Sequence, residues 1–416
     1  MEKTQQSPAE LSQKKFDVII VGGGPSGSSS AIYLSKAGKN VLLLDRATFP
    51  RDKTCGDGIS GKSVRVLREL GVLEKFENID HLKMYGVTFS SPKGKVVEIP
   101  AEKLSSDAPP GFVCRREVFD NLLFQTAKSL CNTIENFFVN EVIMEGNNVV
   151  GVSGTHNSQT YSFKANIVIG ADGAGSTIAK KFNATNSDPN HQVSALRAYY
   201  NGVTGMNDKI ELHFVEESLP GYFWIFPLEN GKANVGIGML VSDMKKKAMN
   251  LENVMYSIIQ NNPLFKERFA KAEKISQVKR WHLPLGSWRP KAYGNGYLLV
   301  GDAASLIDPF TGEGIGNGLI SGKIASQIIL KAFEKNDFTE NVLSEYQKAL
   351  YDDVGPELDT SYKLQKMGNH KWLLNLMIDK ASRSPAIREA ISSALLNPEA
   401  QKQFYNPLFY LKVLLA

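Results

Sequence analysis

Cysteine is scarce in this chain of 416 residues: Cys55, Cys114 and Cys131 are odd in number and widely spaced. Such a set builds neither a disulfide framework nor a metal-ligand cluster, which favours a reducing compartment. No apolar run reaches the roughly 20 residues that a membrane-spanning helix requires. Residues 1–15 are polar and mixed in charge, without the apolar centre of a signal peptide. They read as a disordered leader, and the protein reads as cytoplasmic. His191, His213 and His282 stand isolated, so structural roles are the default and no metal site is expected. A strong charge bias is also missing, because Lys and Arg exceed Asp and Glu by only five. That mild excess suits an anionic cofactor or a lipid head group, and argues against a nucleic-acid partner. No internal repeat is visible.

What remains is a globular composition, 42% apolar and 22% charged, in a chain too long for one ordinary core. Residues 16–21 (FDVIIV) form a continuous β-branched run, the pattern of a buried parallel strand. A glycine cluster follows, then helical spacing over 28–37, then a second buried strand at 40–45 (NVLLLD). Strand, turn, helix and strand make a right-handed βαβ unit. Helices are expected at 63–73, 116–130, 251–260, 264–271 and 316–333, and buried strands at 165–170 and 296–300. Between 194 and 241 the texture changes to longer alternating strands (SALRAYYNGV, KIELHFV, YFWIFPL, ANVGIGML), which marks an antiparallel sheet and a second domain.

Gly22-Gly23-Gly24-Pro25-Ser26-Gly27 fits G-x-G-x-x-G in its proper setting, between a strand and a helix, with Asp45 ending the next strand. Gly22 allows the tight turn, Gly24 lets a pyrophosphate approach the backbone, and Gly27 lets helix and strand pack closely. Backbone N–H groups at the helix start, from Ser26 onward behind Pro25 at the first helical position, would hold the phosphates. Asp45, followed by Arg46, would accept the adenosine ribose hydroxyls. This unit alone leaves FAD and NAD open.

Six blocks in order resolve that choice by resemblance: the fingerprint; the segment from Phe49 to Gly58 with Lys53, Cys55, Gly56 and Asp57; Arg116-Glu117-Val118-Phe119-Asp120; Gly170 to Ser176 with Asp172; Tyr222-Phe223-Trp224-Ile225-Phe226-Pro227; and Gly301-Asp302-Ala303-Ala304 with Pro309 to Asn317. Over residues 16–333 the chain resembles the p-hydroxybenzoate-hydroxylase-type flavoproteins, and within them the geranylgeranyl reductase family, which reduces isoprenoid double bonds with FAD. The resemblance implies an α/β fold: a Rossmann-like FAD-binding domain of the GR2 type, an antiparallel-sheet substrate domain and a C-terminal helical region. The corresponding boundaries are 16–80, 105–190 and 291–340 for the FAD domain, 81–104 and 191–290 for the substrate domain, and 341–416 for the helices. It also implies that Cys55, Gly56 and Asp57 lie beside the flavin, that Arg116 and Asp172 reach the cofactor, and that the strand from Tyr222 to Pro227 lines the substrate pocket. Lys180-Lys181 stand where many relatives carry an arginine, so the external reductant stays open between NADPH and a ferredoxin-type protein.

The residues themselves are compatible with those roles. Asp302 ends a buried strand, where it could accept ribityl hydroxyls or cap the next turn. Gly312, Gly314, Ile315 and Gly316 open a long helix whose positive end suits the flavin edge that gains charge on reduction. Tyr222, Trp224 and Phe226 alternate, so they share one face, either a substrate wall or ordinary sheet core. Cys55 is open between a catalytic contact and a packed small residue. The apolar residues 407–416 either dock on the helical tail or touch a membrane.

The leading expectation is therefore an FAD-dependent reductase of a prenyl lipid or quinone, with an apolar small-molecule or lipid substrate, a redox protein as a further candidate partner, and surface contact with a membrane left open. The alternatives are a flavin monooxygenase or halogenase acting on an aromatic compound, and a non-catalytic electron-passing module. Halogenases favour W-x-W-x-I-P, and Tyr222 and Phe226 depart from that pattern.

Overall fold

The computed structural model describes residues 6–101 and 111–396. Its organising element is the strand Lys15–Val21, with every residue from Val18 to Val21 buried. Gln159–Gly170 pairs parallel with it on one side and Val41–Leu44 on the other, and the sheet extends to Tyr297–Leu299 and Asn132–Ile134. Helices Pro25–Lys36, Arg116–Lys128 and Ile315–Lys335 pack about this sheet. Cover on both faces explains why these strands read as unbroken apolar runs rather than alternating ones. A hairpin of Phe138–Glu145 and Asn148–His156 adds antiparallel strands to the far end of Gln159–Gly170.

The second sheet runs from Glu273–Lys274 through Gln192–Asn201, Lys232–Leu240, Tyr222–Pro227, Ile210–His213 and Gly86–Ser90 to Val96–Pro100. It is antiparallel as expected, except that Ile210–His213 pairs parallel with Gly86–Ser90. One face carries Phe223, Ile225 and Val235 into a core shared with helix Leu251–Asn261. The C-terminal helices Lys371–Arg383 and Pro385–Leu396 cover the edge strand Val96–Pro100, where Ile378 and Ile387 meet Val97 and Ile99.

Two expectations need correction. The leader is not wholly disordered: Ser7 and Glu10 form a capping box for helix Pro8–Ser12, and Leu11 is 1% exposed against the first core. One buried leucine and a closed cap are enough to hold one turn. Residues 264–271 form consecutive turns rather than a helix, because Phe265 and Phe269 are both drawn into the second core without a continuous i→i−4 ladder. Residues 1–5, the domain boundary at 104–105 and the apolar stretch 407–416 lie outside the described residues.

Candidate functional site

Strand ends of the first sheet and one face of the second border one cavity of about 1550 Å³. That exceeds the roughly 300–1,000 Å³ usual for a single small ligand, so a dinucleotide and a second molecule can share it. At its floor, Gly22 adopts φ +107°, and a Cβ there would sit 2.3 Å from the Ala171 carbonyl oxygen. A Cβ on Gly27 would lie 1.8 Å from the Gly22 carbonyl oxygen, so only glycine lets the helix start meet the strand. Gly24 differs. A Cβ there would touch only Arg51 Nη2, at 3.5 Å, so its missing side chain leaves room on the cavity side. Gly24 also starts helix Pro25–Lys36 without a side-chain cap, which leaves first-turn N–H groups available to an anion.

Asp45 Oδ2 accepts the Gly23 N–H at 2.6 Å and Oδ1 accepts the Ala47 N–H at 2.7 Å, which fixes the carboxylate at the cavity rim beside the exposed Arg46. Arg116 is paired in two-point fashion with Asp120, both contacts 2.6 Å, and Arg51 adds a third at 2.9 Å. Despite complete burial, these two guanidiniums hold the Asp120 carboxyl below its usual range. Asp172 caps helix Thr177–Lys181 through Oδ2 at 2.6 Å, while its buried Oδ1 has no partner. Burial raises the Asp172 carboxyl, and the residue lines the cavity. Gly301, at φ +59°, packs against Ser26, and this close approach joins the Asp302 strand end to the fingerprint helix. Gly314 and Ile315 then open helix Ile315–Lys335 at the cavity wall, with Gly312 just before them. This set fits FAD: a cradle that side chains would fill, uncapped helix starts, and carboxylates at two strand ends.

The opposite wall is the aromatic strand. Tyr222, Trp224 and Phe226 all face the cavity, with neighbouring ring centroids 6.1 and 6.5 Å apart. Phe214 and Phe310 extend the row. The strand is tied to the cofactor loops at two points. Tyr222 Oη donates to the Thr311 carbonyl at 2.6 Å, and Trp224 Nε1 donates to Asn234 Oδ1 at 2.9 Å. Asn234 Nδ2 in turn donates to the Cys55 carbonyl and to Asp57 Oδ2, each at 2.7 Å.

Of the candidate cofactor and substrate residues, Gly27, Asp57, Gly316 and Pro227 lie behind the wall, and the others line the cavity. Asp57 is wholly buried at φ +68°, where its carboxylate also accepts from Tyr199 Oη at 2.9 Å. Burial pushes its carboxyl up to about 6, opposed by Arg197. Its position is that of a strut between the Cys55 loop and the second sheet. Gly316 donates its N–H to Glu313, and Gly27 serves helix packing. Cys55 itself faces the cavity.

Sequence reasoning missed Asn234, Tyr199 and Arg197. The signal was present: Asn234 and Arg197 are polar residues inside otherwise apolar strands, and such residues need partners. It also missed the cluster in which Lys62 binds Glu313 at 3.1 Å and Glu357 at 2.9 Å, joining the loop that precedes Gly314 to helix Glu340–Met367. Those partners are about 250 and 295 positions distant in the chain, and no local pattern announces them.

Comparison with known proteins agrees with this geometry. The family model described as an FAD binding domain matches residues 15–349. The chain is 30% identical over 382 residues to digeranylgeranylglycerophospholipid reductase 2 of Methanopyrus kandleri, covering 90% of this chain and 92% of that one. It is also 30% identical over 320 residues to a menaquinone reductase of Mycolicibacterium smegmatis, covering 76% of each. Among solved structures it is similar to a geranylgeranyl bacteriochlorophyll reductase-like protein of Thermoplasma acidophilum, with a TM-score of 0.81, 26% identity, and coverage of 94% and 99%. A flavin-dependent brominase, 20% identical with a TM-score of 0.76 over 92% and 93% of the two chains, shares the fold. By motif order, fold and cofactor cradle, the chain belongs to the geranylgeranyl reductase family of FAD-dependent oxidoreductases.

Proposed function

We propose that this protein reduces carbon–carbon double bonds of a prenyl chain, carried by a geranylgeranyl-type lipid or a quinone. The observation that carries the reading is the aromatic wall of Tyr222, Trp224 and Phe226 facing the dinucleotide cradle across one cavity. When bound, FAD supplies the two-electron reductant for the alkene, and it is recharged by NADPH or a ferredoxin-type protein. Gly22, Gly24 and the start of helix Pro25–Lys36 would hold its pyrophosphate, with Asp45 at the ribose and Asp302 and Asp172 as further acceptors. The aromatic row binds an apolar chain by contact and water exclusion rather than by hydrogen bonds. Its anchors at Thr311 and Asn234 keep that wall at a set distance from the cofactor loops, which is the orientation a weakly polar substrate cannot provide for itself.

Prenyl lipids reside in bilayers, and one surface feature suits that source. Trp372, 66% exposed, is the most exposed large apolar side chain among the described residues, and it follows the cavity-lining Gly368 and Asn369 closely in the chain. An indole so placed would seat the cavity rim at a membrane interface. Among the described residues no helix is long and apolar enough to cross a membrane.

The test uses oxygen-free stopped flow. Reduced holoprotein mixed with geranylgeranyl lipids or prenylquinones is expected to recover its oxidised flavin spectrum without oxygen. Recovery only when oxygen is admitted, and faster with an aromatic compound present, would instead establish a monooxygenase or halogenase.

A further inference from the structure

Adding hydrogen across a double bond takes a hydride and a proton, and the second needs an acidic group at the cavity wall. We propose that Lys53 is the proton donor, its ammonium facing the substrate space from the loop that also carries Cys55. The proposal rests on the prenyl-reductase reading above.

Lys53 lines the cavity, and its Nζ lies 4.3 Å from the centroid of the Trp281 ring, which lines the same wall. Its nearby carboxylates are committed elsewhere. Asp52 binds Arg197 and Lys279, both at 2.7 Å. Asp120 is occupied by Arg116 at 2.6 Å and Arg51 at 2.9 Å. Among the described residues Lys53 is thereby left without a carboxylate at ion-pair distance, unlike Lys62 and Lys279 of the same cavity. Burial pulls its ammonium down to about 8, with the field of Asp302 acting in opposition. A donor so tuned releases its proton and regains it near neutral pH.

Tyr222 and Cys55 line the same cavity. Burial pushes the Tyr222 hydroxyl up, and its hydrogen is already given to the Thr311 carbonyl. Cys55 shares the wall with Lys53, and it is the alternative the test must separate.

The step balances. One alkene carbon accepts the hydride and the other takes H⁺ from the Lys53 ammonium. The alkene is reduced by two electrons, the flavin cofactor is oxidised by two, and the neutral amine left behind is reprotonated from solvent.

The experiment compares wild type, Lys53→Met, Lys53→Ala, Lys53→Arg and Cys55→Ala as holoproteins. Wild-type kcat on a geranylgeranyl substrate is expected to decline as pH rises through about 8. Lys53→Met is expected to lower kcat about 100-fold or more, the usual contribution of a positioned acid, to abolish that decline and to leave KM and FAD affinity within threefold. Alkylammonium ions should restore Lys53→Ala, with a rate that follows the acidity of the added ion. Lys53→Arg should stay impaired, because a guanidinium does not release its proton in this pH range. Without turnover, amine-selective labelling of Lys53 in the FAD-free protein, followed by mass spectrometry, should rise with a midpoint near 8. An active wild type with an unchanged Lys53→Met profile overturns the assignment, as does loss of the alkaline decline in Cys55→Ala alone. A wild type inert toward every prenyl alkene overturns the reading beneath it.

Discussion

Replacing Gly24 by valine separates the cofactor cradle from the fold. At this position φ is −69° and ψ −174°, an extended conformation any residue adopts. The first atom a Cβ would meet is Arg51 Nη2 at 3.5 Å, ordinary contact distance. The protein without FAD should therefore fold, losing about 1 kcal/mol for a poorer helix cap. The added methyls occupy the space through which a pyrophosphate reaches the backbone. Two charge-assisted hydrogen bonds lost there, at about 1.5–3 kcal/mol each, amount to about 3–6 kcal/mol, or a weakening of FAD binding by about 10² to 10⁴. Gly27→Ala makes the contrast, because its Cβ would fall 1.8 Å from a carbonyl oxygen and damage the fold itself. Circular dichroism melts of the FAD-free proteins and titration with FAD, followed by flavin fluorescence, read the two effects separately. Valine at 24 with FAD affinity within threefold of wild type would refute the placement of the pyrophosphate.

Further outcomes follow from the buried charges and from Trp372. The Asp57 carboxyl is raised to about 6, so ionising it costs stability that is absent below pH 4 and grows as pH climbs through 6. Asp57→Asn should accordingly gain up to about 3 kcal/mol relative to wild type between pH 4 and pH 7, read by urea unfolding. An equal loss at both values would contradict this. Lys62→Met strands Glu313 and Glu357 and should cost about 3–5 kcal/mol at pH 7. Because Lys62 holds the Glu313 carboxyl below its usual range, that penalty should shrink as pH falls through the carboxylate range, and a pH-independent penalty would argue against the pairing. Trp372→Ala should reduce sedimentation with phosphatidylglycerol vesicles severalfold while leaving FAD affinity unchanged, and undiminished sedimentation would remove the membrane role.

Much of this was legible in the chain because the determinants are local. The buried parallel strands announced themselves as apolar runs, and Gly22 and Gly27 as the sterically forced positions of a βαβ turn. The alternation of Tyr222, Trp224 and Phe226 placed three side chains on one face, and the cavity lies on that face. Asp57 does not line the cavity, for a physical reason. Its neighbours Gly56 and Gly58 face the cavity, but the left-handed backbone at Asp57 turns its side chain away toward Tyr199 and Asn234. That Asn234, polar in an apolar strand, needs partners was legible, but which ones was not, because they come from a loop about 180 positions away. The ordered turn at Pro8–Ser12 depended on a single leucine finding a core that composition alone does not reveal.

The central claim, that reduced flavin in this cavity saturates a prenyl chain, is tested most directly by the mass of the lipid after an oxygen-free turnover. The account predicts a gain of two hydrogens for each double bond consumed, matched one to one by flavin reoxidised. Lipids and prenylquinones recovered at unchanged mass while the flavin stays reduced would contradict it.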